Sequence, residues 1–175
     1  MFCDIPELFL NNSYLYYIFT LYKNKIIMKK IILFVILLSS FTTFTQIKYF
    51  TDYRKLADSL EVVYKIPACV MLSVAYVESG GGTSNIAKRL HNHFGIRGKN
   101  DVAISGYKSG YRYFPTIRDS YIGFCNLVAS KKYYASMKGS QDHEKWLKTI
   151  ASYGYAKDAN LWSSYIYKVL KKNCK

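Results

Sequence analysis

Residues 76–98 read YVESGGGTSNIAKRLHNHFGIRG. One carboxylate, Glu78, closes an apolar run and is followed by three glycines; His91-Asn92-His93 comes shortly after. Two chemistries compete for this stretch: a metal site built on the histidines, or a proton-donating carboxyl built on Glu78. The fold that surrounds the stretch depends on which is correct.

The histidines make a poor metal site. Positions i and i+2 do not share a helix face, and no nearby Cys or acidic residue completes a ligand shell. The only other histidine is His143. The expectation is no metal and no cofactor, with His91 and His93 as polar residues shaping a loop.

Glu78 has a different setting. It ends the apolar segment Val70–Val77, where the negative end of a helix dipole and apolar neighbours both disfavour an ionised carboxyl. Both raise the pKa, as a general acid at neutral pH requires. The glycines at 80–82 are read as side-chain-free space for a bulky substrate. The plain alternative is a solvated glutamate at a helix end.

The chain around this stretch reads as helical. Tyr49, Tyr53, Leu56, Leu60 and Val63 follow the helical period through residues 48–64. Pro67 suits the first turn of a second helix with Val70, Met71, Val74 and Ala75 inward. Thr83 or Ser84 caps a third helix that runs to about Leu90. Thr116-Ile117-Arg118-Asp119 is a capping-box start for a stripe of Tyr121, Phe124, Cys125 and Val128. Helices over about 142–152 and 159–171 follow, the last capped by Asp158. Residues 99–115 break the pattern, and Gly106 and Gly110 among Val102, Ile104, Tyr107, Tyr111 and Tyr113 predict a short β-hairpin.

Length and charge set the bounds. The 175 residues suit one domain with a real core. A hydrophobic fraction of 50% excludes general disorder. The net charge is +14; the first 45 residues hold four of the basic and two of the acidic residues, so the remainder carries +12. Such a surface favours polyanions. Met28-Lys29-Lys30, the apolar run Ile31–Leu38 and the small residues to Thr45 form the three parts of a signal peptide. Thr43 and Thr45 then place the mature start at Gln46, with an uncleaved membrane tether as the alternative. Residues 1–27 read as an upstream over-extension of the frame, 28–45 as the signal peptide and 46–175 as one domain. Cys69, Cys125 and Cys174 are an odd set without a close pair, so no disulfide framework is indicated, and Cys69 and Cys125 are expected in the core.

An ordered set of short motifs resembles glycoside hydrolase family 73, the peptidoglycan endo-β-N-acetylglucosaminidases of the flagellar-muramidase type. Pro67, Glu78-Ser79-Gly80, Gly82-Thr83-Ser84, Ala87, Asn92, Phe94-Gly95-Ile96-Arg97-Gly98 and Gly154-Tyr155-Ala156 occur in the family's order. Tyr111-Arg112-Tyr113-Phe114 and Ser120-Tyr121 fit two further elements, and the resemblance spans residues 50–173. It implies a mainly α, lysozyme-like fold: a helical lobe, a small β-hairpin lobe and a cleft between them. It makes Glu78 the catalytic acid and Tyr155 a cleft tyrosine needed for activity. Asn92, His93, Phe94, Tyr111 and Tyr153 become substrate-binding positions. The implied protein is an exported monomer, periplasmic or extracellular, that works on peptidoglycan strands and an anionic wall surface and takes no nucleic acid as partner.

Glycosidases generally use a second carboxylate. Between Gly98 and Thr116 the sequence offers only Asp101, and Lys99-Asn100-Asp101 is equally good turn chemistry. The alternatives are attack by the substrate's own N-acetyl oxygen, with Tyr155 orienting it, or a lytic transglycosylase mechanism with one glutamate. A non-catalytic, basic, tyrosine-rich wall-binding protein is the reading outside the enzymes.

Overall fold

The computed structural model describes residues 12–174. The chain divides into two compact units at Thr43/Phe44. Helix α1, Asn12–Tyr64, supplies the described part of the first unit and the opening of the second. In the first unit Tyr22, Ile27, Met28 and Leu33 are exposed. Among the described residues, no helix is long and apolar enough to cross a membrane. The expected over-extension starts within residues 1–11, and the side chains of the expected cleavage zone are those of residues 39–45; both lie outside the described residues.

The second unit is built around α2, Ala68–Ser79. Its residues Val70, Met71, Leu72, Ser73, Val74 and Ala75 are all 0% exposed. A helix that is apolar on every side belongs inside a bundle. Around it run α3 (Asn85–Leu90), α4 (Val102–Ser105), α5 (Ile117–Ala129), α6 (Tyr134–Met137), α7 (His143–Ile150) and α8 (Ala159–Asn173). Helices α7 and α8 pack directly on α2, and Cys125 of α5 meets Met71 of α2 at 3.4 Å. Tyr121, Phe124, Cys125 and Val128 are buried as their spacing predicts. Val63 is not: it is exposed, and Tyr49, Phe50, Ala57 and Leu60 provide the buried face of α1 instead.

Local signals start the helices where expected. Ser84 accepts from the Ala87 amide, and Asp158 from the Leu161 amide. Thr116 and Asp119 exchange both bonds of the capping box. Pro67 stands just before α2 rather than in its first turn, with no side chain to offer; the Ala68 amide is taken up by Glu61 Oε2 at 2.8 Å instead. The three glycines after α2 all have left-handed φ, +59°, +66° and +79°. They turn the chain, as only glycine does cheaply. A side chain at Gly81 would press on Tyr76, and one at Gly82 would touch His93 and Tyr49, so these two residues line a packed corner rather than the open space read from the sequence.

The β-hairpin expected over 99–115 shrinks to an isolated antiparallel bridge, Arg97 with Tyr111, among the described residues. Arg112 N donates to Ile96 O and Gly98 N to Gly110 O. Beyond them the chain folds on its own side chains: Ser105 Oγ donates to Asn100 Oδ1, and the Tyr107 amide donates to Ser105 Oγ. These local bonds offer the backbone an alternative to a ladder, and α4 forms where strands were expected.

The cysteines also depart from expectation. Cys69, at the start of α2, is joined to Cys174, just past α8, by a disulfide across 105 positions. Pairing between positions so far apart leaves no local mark in a sequence. Cys125 is a free, buried core residue. A link closing so long a loop contributes on the order of 2–5 kcal/mol. Replacing both Cys69 and Cys174 by Ser should lower the free energy of urea unfolding by that amount. An unchanged unfolding midpoint would show that the link adds nothing to stability.

Candidate active site

The site grows from the end of α2. Glu78 is the last residue but one of this helix and is half-buried. Trp162 of α8 donates its indole N–H to Glu78 Oε1 at 2.6 Å. The other oxygen, Oε2, lies 3.3 Å from the point where a Cβ on Gly95 would stand, and that same point is 3.9 Å from the Tyr111 ring. Gly95 has φ +61°, so a side chain is disfavoured there both by backbone and by space. The side-chain-free ground beside the carboxyl is thus supplied by Gly95, not by residues 80–82. Burial raises the Glu78 pKa above the usual carboxylate value, and the Trp162 hydrogen bond opposes that rise in part.

Tyr155 stands next to this pair. It ends a widened turn, Ala151–Tyr155, in which Gly154 takes φ +87°. Its hydroxyl donates to the Phe94 carbonyl at 2.6 Å, and its ring packs on Trp162 with centroids 5.3 Å apart. Burial first, then the neighbouring Glu78 charge, hold its phenol well above the ordinary tyrosine value, so it stays protonated. On its other side is a depression of about 110 Å³ reached by Lys131, Tyr133, Tyr153 and Gly154. It shares Leu127 with a wider groove of about 630 Å³ along α5, bordered by Arg97, Arg112, Phe114 and Asn126.

The other expected positions take three kinds of place. Phe94 is buried, stacked on Phe124 at 4.3 Å, and reaches the site through its carbonyl. Tyr111 lies across Gly95, with the Arg97 guanidinium 4.8 Å from its ring centre. Tyr153 is exposed against Tyr133 at the mouth of the small depression. Asn92 is 1% exposed and its amide is saturated: it donates to Ile96 O and Arg112 O and accepts from the amides of Phe94 and Ile96. It has no bonding capacity left for a ligand and instead ties the 92–97 loop to the bridge. Asp101 is exposed at the head of α4, where its carboxylate accepts from the Ile104 amide.

The two neighbouring histidines are occupied in separate ways. His91 Nδ1 meets Phe114 O at 2.9 Å. His93 is buried among Tyr49, Tyr53 and Tyr121, with Nδ1 2.6 Å from the Tyr49 hydroxyl. Among the described residues no group of three or more His, Cys, Asp or Glu could hold a metal ion. Trp162 is the residue that sequence reasoning missed. Its place four residues after the Asp158 cap gave its position on α8, but only the packing of α8 on α2 aims it at Glu78.

The glucosaminidase family profile, described as mannosyl-glycoprotein endo-beta-N-acetylglucosaminidase, matches residues 54–175. No curated protein sequence matches the chain. Three solved structures share the fold at low identity. The catalytic domain of the autolysin Auto from Listeria monocytogenes is 16% identical with a TM-score of 0.59, over 74% of this chain and 84% of that one. A peptidoglycan hydrolase from Sphingomonas sp. A1 is 17% identical with a TM-score of 0.57, over 71% and 86%. A chain from a type VI secretion system effector-immunity complex of Pseudomonas protegens is 19% identical with a TM-score of 0.56, over 73% and 89%.

Burial lowers the His93 pKa from 6.5 to about 4, with His91 adding to the effect. The folded state therefore keeps this imidazole neutral while the unfolded chain protonates it. His93 leaves stability independent of pH above about 6.5 and withdraws stability as pH falls from there toward 4. Glu78, with its raised pKa, acts in the opposite sense, so the comparison of wild type with His93→Gln isolates the histidine. Unfolding curves at pH 7, 5.5 and 4.5 should converge toward those of the variant on acidification. Parallel curves would mean that His93 titrates normally.

Proposed function

Because the chain belongs to the glucosaminidase family over residues 54–175 and is thereby a glycoside hydrolase, we propose that it cleaves the β-1,4 bond after N-acetylglucosamine in peptidoglycan, with Glu78 as general acid. The observation that carries this reading is the half-buried Glu78 carboxyl, its pKa raised by burial and one oxygen turned to the bare face of Gly95. A carboxyl of that kind keeps its proton to higher pH than a solvated glutamate and can deliver it to a leaving glycosidic oxygen. The fold shared with an autolysin and a peptidoglycan hydrolase supports the choice of polymer. The arginines of the α5 groove suit its anionic character.

The second half of the mechanism falls to the substrate. Asp101 is engaged in starting α4, which supports a turn role over that of base. Tyr155 donates to Phe94 O and keeps lone pairs for an incoming N–H. Accepting from the acetamido N–H of the sugar, it would aim the acetamido oxygen at the anomeric carbon, in the manner of substrate-assisted glycosidases. Glu78 protonates the leaving oxygen as that bond breaks, and water then opens the cyclic intermediate.

Activity on purified sacculi should fall on the order of 10²–10⁴-fold in Glu78→Gln, while Asp101→Asn should stay within a few-fold of wild type. Mass spectrometry of the digest should find reducing N-acetylglucosamine ends. Anhydromuramic ends would instead make the enzyme a transglycosylase. A well-folded Glu78→Gln variant with normal turnover would remove Glu78 from the mechanism, and an equally severe Asp101→Asn defect would restore the two-carboxylate route.

The site of action proposed is outside the cytoplasm. The Met28–Thr45 segment has the layout of a signal peptide, the division between units falls at Thr43/Phe44 beside the expected cut, and the Cys69–Cys174 link suits an oxidising compartment. N-terminal sequencing of the secreted protein should start at or near Gln46. A product that retains Ile31–Leu38 would be a tethered enzyme.

A further inference from the structure

The carboxyl of Glu78 is held unsymmetrically: Oε1 by the Trp162 indole, Oε2 beside the empty face of Gly95. We propose that Trp162 is a positioning residue that confines the acidic proton of Glu78 to Oε2, the oxygen turned toward Gly95. This inference rests on the reading of Glu78 as general acid and adds which of its atoms delivers the proton.

An indole N–H is a donor and never an acceptor. A protonated carboxyl carries one O–H and keeps acceptor capacity on the other oxygen. With N and O 2.6 Å apart, a proton on Oε1 would face the indole hydrogen along the same line. That arrangement is repulsive, and turned aside the same O–H would leave Oε1 a weaker acceptor than a carbonyl oxygen, so Oε1 serves best as the unprotonated acceptor and the proton is favoured on Oε2. Glutamine or a hydroxyl residue in place of Trp162 would lack this one-way character, because each can accept as well as donate.

Trp162 is itself fixed from several sides. Its helix starts at the Asp158 cap, with Leu161 N bonded to Asp158 Oδ1 at 2.9 Å. Its ring lies on Tyr155, which is pinned to Phe94 O. The far end of α8 is joined to the start of α2 through Cys174 and Cys69. The titratable groups facing Glu78 are Tyr155 from the 151–155 turn and Tyr111 across Gly95, the latter covered by Arg97. Behind the end of α2, Tyr49 and His93 bond to each other. No charged partner acts on Glu78 from these elements; burial and the indole are the two effects that set its acidity.

The test is the pH dependence of sacculus hydrolysis by Trp162→Phe, which keeps an aromatic ring and loses the donor. A hydrogen bond to a carboxylate favours the ionised form, so its loss raises the Glu78 pKa further. The alkaline limb of the kcat profile should move up by about one pH unit. At the optimum kcat should fall on the order of 10-fold, with KM changed less than about two-fold, because the proton then divides between two oxygens of a looser carboxyl. A residue with only a packing role would alter stability and leave that limb in place. Tryptophan fluorescence of the unaltered protein supplies a second measurement that does not depend on the variant folding. Trp146 is buried and bonded to Ser140 O, so a titration whose midpoint matches the alkaline limb, and which disappears in Glu78→Gln, belongs to Trp162. A Trp162→Phe profile superimposable on wild type, or a fluorescence titration that survives in Glu78→Gln, overturns the inference. If Glu78→Gln is inactive in that case, the general-acid reading stands without it; if Glu78→Gln turns over normally, both fall.

Discussion

Helix α2 has no polar face to give to water over its first two turns, and the second unit is arranged to meet that constraint. Helices α5, α7 and α8 close around Val70–Ala75, while Tyr49 and Phe50 of α1 cover the side toward Tyr76. Near its end the helix carries Glu78, half-buried, with one oxygen on the Trp162 indole and the other beside Gly95. A carboxyl placed there is held near its proton by the same burial that holds the fold together. Stability and acidity are therefore set by one packing arrangement: a deeper α2 would raise the pKa further, and a shallower one would release the group to ordinary behaviour.

The elements that were legible in the sequence are those fixed by residues close together in the chain. Ser84, Thr116 and Asp158 announce their helices because a capping side chain bonds to an amide two or three residues away. Tyr121, Phe124, Cys125 and Val128 declare a buried face because helical spacing is local geometry. Glu78 was legible for the same reason, as a carboxyl at the end of an apolar run and before a chain turn. What escaped was set at long range. The pairing of Cys69 with Cys174, the aim of Trp162 and the burial of His93 each depend on how distant helices meet. Residues 99–115 depart from the strand pattern on another ground: alternating apolar residues with glycines fit that pattern, whereas Asn100 and Ser105 satisfy the local backbone first.

Much of the site is made of backbone and of residues that never face the groove. Asn92 spends all its hydrogen bonds on the loop that carries Phe94 and Gly95. Phe94 offers the site its carbonyl, and Gly95 offers the absence of a side chain. Tyr155 and Trp162 brace each other from a turn and a helix that follow one another in the chain. This division explains why a conspicuous pair of histidines and an asparagine could sit in the middle of the signature stretch with none of them reaching Glu78. Asn92 ties the loop to the bridge, His91 bonds the Phe114 carbonyl and His93 anchors in the tyrosine cluster, and the one small residue of the loop comes beside the acid.

The bond between Cys69 and Cys174 turns nearly the whole catalytic unit into a covalent ring. Glu78 and Trp162 both lie inside that ring, near its two ends, and so do the 99–115 loop and every helix from α3 to α8. The loop carrying Asp101 is exposed and open to a protease. In a ring, one cut opens the chain without dividing it: the two new ends remain attached through the sulfurs, and the glutamate stays tethered to the helix that holds its tryptophan. Two cuts are needed before any piece can leave.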